Sequence, residues 1–209
     1  KIALLVVAGL VILYIKYLSV LIQGFGLQQQ AAHDIVMSKA FDNGMICASE
    51  QAVIADKEIY ADLVNEFKSY GVYFVNKKEK ALLEEFIFGV KAGSNSCGGA
   101  KLNAAVVGKP AAWIAEQAGF SVPEKTNILV AECSEVGPNE PLTREKLSPV
   151  LAMLKADSTE EGLKLAEQMV EFDGLGHSAA IHTADEALAK TFGERVKAIR
   201  VIWNSPSTF

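Results

Sequence analysis

Apolar residues run almost unbroken from residue 2 to residue 15, with only Gly9 among them, and after Lys16 again from 17 to 22, with Ser19 the one polar position. No helical or strand period shows in so uniform a stretch, and its length predicts an N-terminal apolar helix. At about 1.5 Å per residue it would span roughly 30 Å, the thickness of a bilayer core. Lys16 inside the span opposes a crossing, costing up to about 3 kcal/mol near the bilayer centre unless the side chain snorkels. The first run is also short enough for a signal-peptide core after Lys1, with Ala31-Ala32 as a weak cleavage-like site. A third alternative is an unrelated piece joined by gene rearrangement. Residues 24–30, with three successive glutamines, read as the joint between this appendage (residues 1–30) and a folded domain over residues 31–209.

Beyond the joint the pattern becomes periodic. Residues 31–41 predict a short amphipathic helix, and residues 51–55 an apolar strand. Asp56 then caps a helix over 57–70 whose Ile59, Leu63, Val64 and Phe67 recur at helical spacing. A second helix covers 78–88, and the glycine-rich stretch 93–99 is a loop. Strands follow at 104–107, 127–131, 150–155, 178–182 and 198–203. They alternate with helices at 110–118 (opened by Pro110), 158–172 (capped by Ser158) and 184–196. Such alternation predicts an α/β domain with a mostly parallel sheet flanked by helices.

Composition narrows the function classes. The 209 residues suffice for one ordinary domain, and a net charge of −5 without a Lys/Arg cluster argues against a nucleic-acid surface. Lys39 and the group Lys77, Lys78 and Lys80 read as solvated faces. Cys47, Cys97 and Cys133 show neither metal-ligand spacing nor an even disulfide framework, which suits a cytoplasmic, reducing setting and argues against a zinc site. The 93–99 loop lacks the lysine-hydroxyl pair of a phosphate cradle and the dinucleotide glycine spacing.

Cys47 is the candidate nucleophile. Asn43-Gly44 predicts an exposed turn just before it, between the 31–41 helix and the 51–55 strand, and a reactive thiol needs partial exposure near backbone N–H groups or positive charge. The competing reading is a small buried apolar residue. Ser49 and Glu50 flank the thiol, with Glu50 read as a local cap. His177 precedes an apolar strand, and a histidine there serves equally as an acid–base group or as a structural residue. His33 and His182 read as structural.

The residues 33–51, followed by 102–108, 118–123, 145–149, 174–178 and 204–206, resemble in that order the CoA-acylating aldehyde dehydrogenases. The resemblance is strongest to the aldehyde dehydrogenase half of the bifunctional aldehyde–alcohol dehydrogenases, and it covers about residues 32 to 209. It implies an aldehyde dehydrogenase catalytic-domain fold, with Cys47 attacking the aldehyde carbonyl to form a thiohemiacetal. Hydride transfer to NAD then leaves a thioester, from which coenzyme A takes the acyl group. By the same resemblance Glu145 binds the nicotinamide ribose, Pro149 accompanies it in the cofactor site, Asn204 lines the cleft, and His177 belongs to the active site. Leu147 stands where the wider superfamily has phenylalanine.

The resemblance also implies acetaldehyde as substrate, acetyl-CoA as product, and the reverse reaction in fermentation. The family's cofactor domain, which supplies the nucleotide sheet and an oxyanion-hole asparagine, has no counterpart in these residues, so turnover by this stretch alone is expected to be impaired. A separate cofactor-domain chain or a homo-oligomer is the expected partner. The alternative is a non-catalytic module, membrane-tethered or for assembly, that keeps the fold.

Overall fold

The computed structural model describes residues 18–22, 27–90 and 101–208. Among the described residues, seven strands form one all-parallel sheet in the order β3-β4-β5-β2-β1-β6-β7. They are β1 (Leu18–Ile22), β2 (Glu50–Asp56), β3 (Val72–Phe74), β4 (Ile128–Glu132), β5 (Val150–Ala156), β6 (Ser178–His182) and β7 (Arg200–Trp203). The helices are α1 (Gln28–Ala40), α2 (Tyr60–Ser69), α3 (Lys77–Phe88), α4 (Ala111–Ala118), α5 (Thr159–Asp173) and α6 (Glu186–Arg195). Their apolar stripes cover both faces of the sheet. Ile35, Leu63 and Phe67 of α1 and α2 pack with Val53 and Ala55 on one face. Leu83, Ile114, Leu163 and Phe192 of α3 to α6 pack with Ala52 and Ile54 on the other. Alternate residues of β2 therefore enter different cores, which is why its six residues Glu50 to Ala55 are all buried and why parallel strands read as continuous apolar runs.

That property explains one correction. Leu18–Ile22, expected as the end of an apolar helix, is a strand near the middle of the sheet, where Leu18 partners both Glu50 of β2 and Ser178 of β6. An unbroken apolar run does not distinguish a buried helix from a strand buried on both faces. The remainder of the 1–30 segment falls largely on residues 1–17 and 23–26, outside the described residues. Among the described residues no helix is long and apolar enough to cross a membrane.

Other boundaries shift for local reasons. Asp56 ends β2, and its carboxylate accepts from the Glu58 N–H at 2.9 Å, so α2 starts only at Tyr60. The strand expected at 104–107 is a 3-10 turn over Ala104–Val106, closed by the Asn103 side chain accepting from the Ala105 N–H. β3, only three residues long, carries too little pattern to be predicted. Ser158 caps α5 as expected, its hydroxyl accepting from the Glu161 N–H. The 93–99 loop and Cys97 lie outside the described residues.

Candidate active site

Cys47 sits on the connection from α1 to β2, and the turn before it is held in an unusual backbone shape. Asp42 (φ 49°), Asn43 (φ 50°) and Gly44 (φ 68°) are three successive left-handed residues. Asp and Asn enter that region more readily than other side-chain-bearing residues, and glycine enters it freely. The Met45 N–H donates to the Asp42 carbonyl at 3.1 Å and the Ser49 N–H to the Ile46 carbonyl at 3.0 Å, while the Ser49 hydroxyl donates back to the Gly44 carbonyl at 3.1 Å. These bonds close the turn on both sides of Cys47 and leave its thiol half-buried. The other described thiol, Cys133, is buried, and burial pushes its pKa up to about 12 against the pull of the Lys80 ammonium, so it stays protonated at neutral pH.

The turn is pressed against the segment that carries Glu145 and Pro149. A Cβ on Gly44 would lie 2.5 Å from the Ser148 carbonyl oxygen, a contact only glycine permits. Leu147, in the same segment, is also left-handed (φ 43°), and its carbonyl accepts from the Gly108 N–H at 3.0 Å. Four side-chain-bearing residues among those described have a positive φ, and three of them lie in these two abutting segments. Strain of this kind persists only where the surroundings over-determine it, and it gathers at functional sites.

Lys146 and Gln51 join the two segments from below. The fully buried Lys146 donates from Nζ to three carbonyls, those of Leu142 (2.7 Å), Arg144 (2.7 Å) and Gln51 (3.1 Å), and its N–H donates to Gln51 Oε1. Gln51 Nε2 in turn donates to the Ser49 carbonyl at 3.1 Å. Burial pulls the Lys146 pKa down, yet three acceptors match the three donors of an ammonium, and we assign the charged form. Glu145 is half-buried beside this residue, and its negative charge acts on both Lys146 and Lys39.

Two of these side chains were expected elsewhere. Lys39, read as solvent-facing, is fully buried. It follows Ile35 by four positions and Val36 by three, in phase with the buried stripe of α1, and that phase was legible in the sequence. Glu50, read as a local cap, is 1% exposed as the first residue of β2. Ser207 reaches it from the C-terminal segment: Ser207 Oγ lies 2.6 Å from Glu50 Oε1 and 2.7 Å from the Ala48 carbonyl oxygen, and the Ser207 N–H donates to Ser38 Oγ at 3.0 Å. Nothing in the sequence pattern singles out Ser207.

His177 lies at the same edge of the sheet as the thiol. It precedes Ser178 of β6, is 7% exposed, and its N–H donates to the Gly174 carbonyl while its carbonyl accepts from Ile199 and Arg200. Since β1 alone separates β2 from β6, the strand starts next to Cys47 and His177 are about 10 Å apart, two inter-strand spacings. Asn204 is not brought to this edge. It follows the far end of β7, where its side chain accepts from the Thr183 N–H and donates to the Thr183 carbonyl, both at 2.9 Å, tying the ends of β6 and β7 together. His182 is buried, with its pKa lowered by burial, and His33 packs edge-on to Tyr70.

Comparison with protein-family models returned no match. Among known proteins, the chain is 78% identical over 181 residues to an aldehyde-alcohol dehydrogenase of Streptococcus pneumoniae, covering 87% of this chain and 20% of that protein. It is 58% identical over 180 residues to aldehyde-alcohol dehydrogenase 2 of Entamoeba histolytica, covering 86% of this chain and 21% of that one. Among solved structures, an acetylating aldehyde dehydrogenase from Geobacillus thermoglucosidasius superposes with a TM-score of 0.84 at 39% identity, covering 93% of this chain and 41% of that chain. The chain thus spans about a fifth of the length of these aldehyde-alcohol dehydrogenases. In sequence and in fold, it belongs to the family of acetylating aldehyde dehydrogenases that includes the aldehyde-alcohol dehydrogenases.

Proposed function

We propose that this chain carries the thiol chemistry of an NAD-dependent, CoA-acylating acetaldehyde dehydrogenase, with Cys47 as nucleophile. The observation that carries the reading is the half-buried Cys47 on a strained turn locked by Gly44 against the Glu145–Pro149 segment. Its thiolate adds to the aldehyde carbonyl, giving a thiohemiacetal. NAD, when bound, supplies the hydride acceptor. Loss of hydride leaves an acyl thioester on Cys47, and CoA, as second substrate, takes the acyl group while the Cys47 thiolate departs. Exchange between two thiols is balanced in leaving-group ability, so the acyl transfer needs little general-base help.

Glu145 fits a place in the cofactor site: it is a half-buried carboxylate pinned beside the thiol turn, and a carboxylate is the acceptor chemistry a ribose diol calls for. Pro149 stiffens the backbone leading from it into β5. His177, buried just before β6 at the same edge of the sheet as Cys47, is assigned as a hydrogen-bonding group for cofactor or CoA. Asn204 is assigned a structural part, since both ends of its amide are engaged by Thr183. Acetaldehyde and acetyl-CoA are the substrate pair this family reading supports, in a cytoplasmic setting that keeps the thiols reduced.

Alkylation with iodoacetamide at neutral pH, read by peptide mass spectrometry, tests the assignment. Cys47 is expected to label faster than Cys97 and Cys133 and faster than it does in the urea-unfolded chain. Equal rates at all three would contradict a prepared nucleophile.

A further inference from the structure

The Ser207 hydroxyl has one proton and two close oxygen neighbours. The Ala48 carbonyl, 2.7 Å away, can only accept. Glu50 Oε1, 2.6 Å away, could accept from Ser207 only if the carbonyl were left without a donor. Both contacts are satisfied together when Glu50 is protonated, donates to Ser207 Oγ, and Ser207 donates onward to Ala48. The surroundings agree. Glu50 is 1% exposed, its Oε2 makes no hydrogen bond among the described residues, and neither does the buried Lys39 Nζ, so the two groups do not form a hydrogen-bonded ion pair. An ionised carboxylate with a bare buried oxygen would be costly, whereas a carboxylic acid is not.

We propose that Glu50 holds a proton in the folded chain and acts, through Ser207, as a positioning residue that clamps the Ala48 peptide beside Cys47. Burial supports this by pushing the Glu50 carboxyl well above the usual carboxylate range, against the hydrogen bonding of Ser207, its own backbone N–H and Ser38 and against the Lys39 charge. Lys39 is pulled down to about 7 by its own burial, against the carboxylates of Glu50 and Glu145. Other groups facing the cluster are Lys146 from the Glu145 segment, whose pKa the Lys39 charge helps to lower, and the hydroxyl of Ser38 on α1. The Ser207 N–H, donating to Ser38, anchors the clamp to the end of α1. The consequence for catalysis rests on Cys47 being the nucleophile; the clamp itself does not.

The test uses the full chain and its Glu50→Gln, Glu50→Leu and Ser207→Ala variants. Amide hydrogen exchange over residues 44–49 is followed from pH 6 to pH 9, corrected for intrinsic rates, with the amides of β4 as a reference for the fold. A glutamine can donate to Ser207 as the protonated acid does; an ionised carboxylate cannot. At pH 6, wild type and Glu50→Gln are expected to exchange alike, and Glu50→Leu and Ser207→Ala about tenfold faster at the turn, the size of effect expected from losing a buried hydrogen bond. Raising the pH should loosen the wild-type turn and leave Glu50→Gln unchanged. A glutamine variant as disturbed as the leucine one, or a wild-type turn indifferent to pH, would overturn the proposal. If Glu50→Leu exposes β4 as well, Ser207→Ala and Glu50→Gln decide alone. Labelling of Cys47 is read in parallel: a wild-type rate no faster than in the unfolded chain defeats the nucleophile reading, while the exchange data still judge the clamp.

Discussion

Gly44 and Ser148 approach so closely that a Cβ on the glycine would sit 2.5 Å from the serine carbonyl oxygen. This contact joins the turn that holds Cys47 to the segment that holds Glu145, and it fixes how two stretches about a hundred residues apart in sequence share one edge of the sheet.

Gly44→Ala meets two penalties, the left-handed backbone (φ 68°) and a collision with main-chain atoms that cannot rotate away. We expect a loss of about 2–4 kcal/mol in urea-unfolding free energy, larger than for an ordinary strained glycine replacement because the clash moves backbone. The Cys47 labelling rate should fall to that of the unfolded chain. An alanine variant with unchanged midpoint and labelling would show that the close approach does not hold the turn.

Cys133 makes the alkaline stability of the chain pH-dependent. Its thiol is pushed from 9.0 to about 12 by burial. The folded chain therefore keeps the proton where the unfolded chain loses it, so this contribution is complete below pH 9 and declines as the pH rises toward 12. The full decline is on the order of 4 kcal/mol for one such group. Cys133→Ala should flatten that limb of a stability–pH curve measured by urea denaturation. Parallel curves for the two proteins would contradict the assignment.

Much of this architecture was legible in the sequence, and the exceptions have physical causes. Helix–strand alternation gives the parallel sheet because each crossover helix must cover a strand, and β6 (Ser178–His182) matches its apolar run residue for residue. The thiol turn was legible from Asn43-Gly44. β1 was not, since strands buried on both faces lose the alternation that distinguishes them from helices. Lys39 was misread because lysine is seldom buried, although its phase with Ile35 placed it inward. Ser207 and the pairing of Gly44 with Ser148 depend on long-range approach, which no local pattern encodes.

Asn204 separates structure from chemistry. Asn204→Ala should cost about 1–2 kcal/mol through two lost bonds to Thr183 and a strained left-handed backbone, with labelling of Cys47 unchanged because the residue sits at the opposite end of β7. A stability loss without a change in thiol reactivity supports the structural part; the reverse would return Asn204 to the active site.

The most direct measurement is the acyl-transfer half-reaction alone, which needs no hydride acceptor. Incubated with acetyl-CoA, the Cys47 thiolate displaces CoA and takes the acetyl group. Peptide mass spectrometry should find one hydroxylamine-sensitive acetyl adduct on Cys47, released again by added CoA and absent from Cys47→Ala. No adduct at Cys47, or equal acetylation of Cys47, Cys97 and Cys133, would contradict the account.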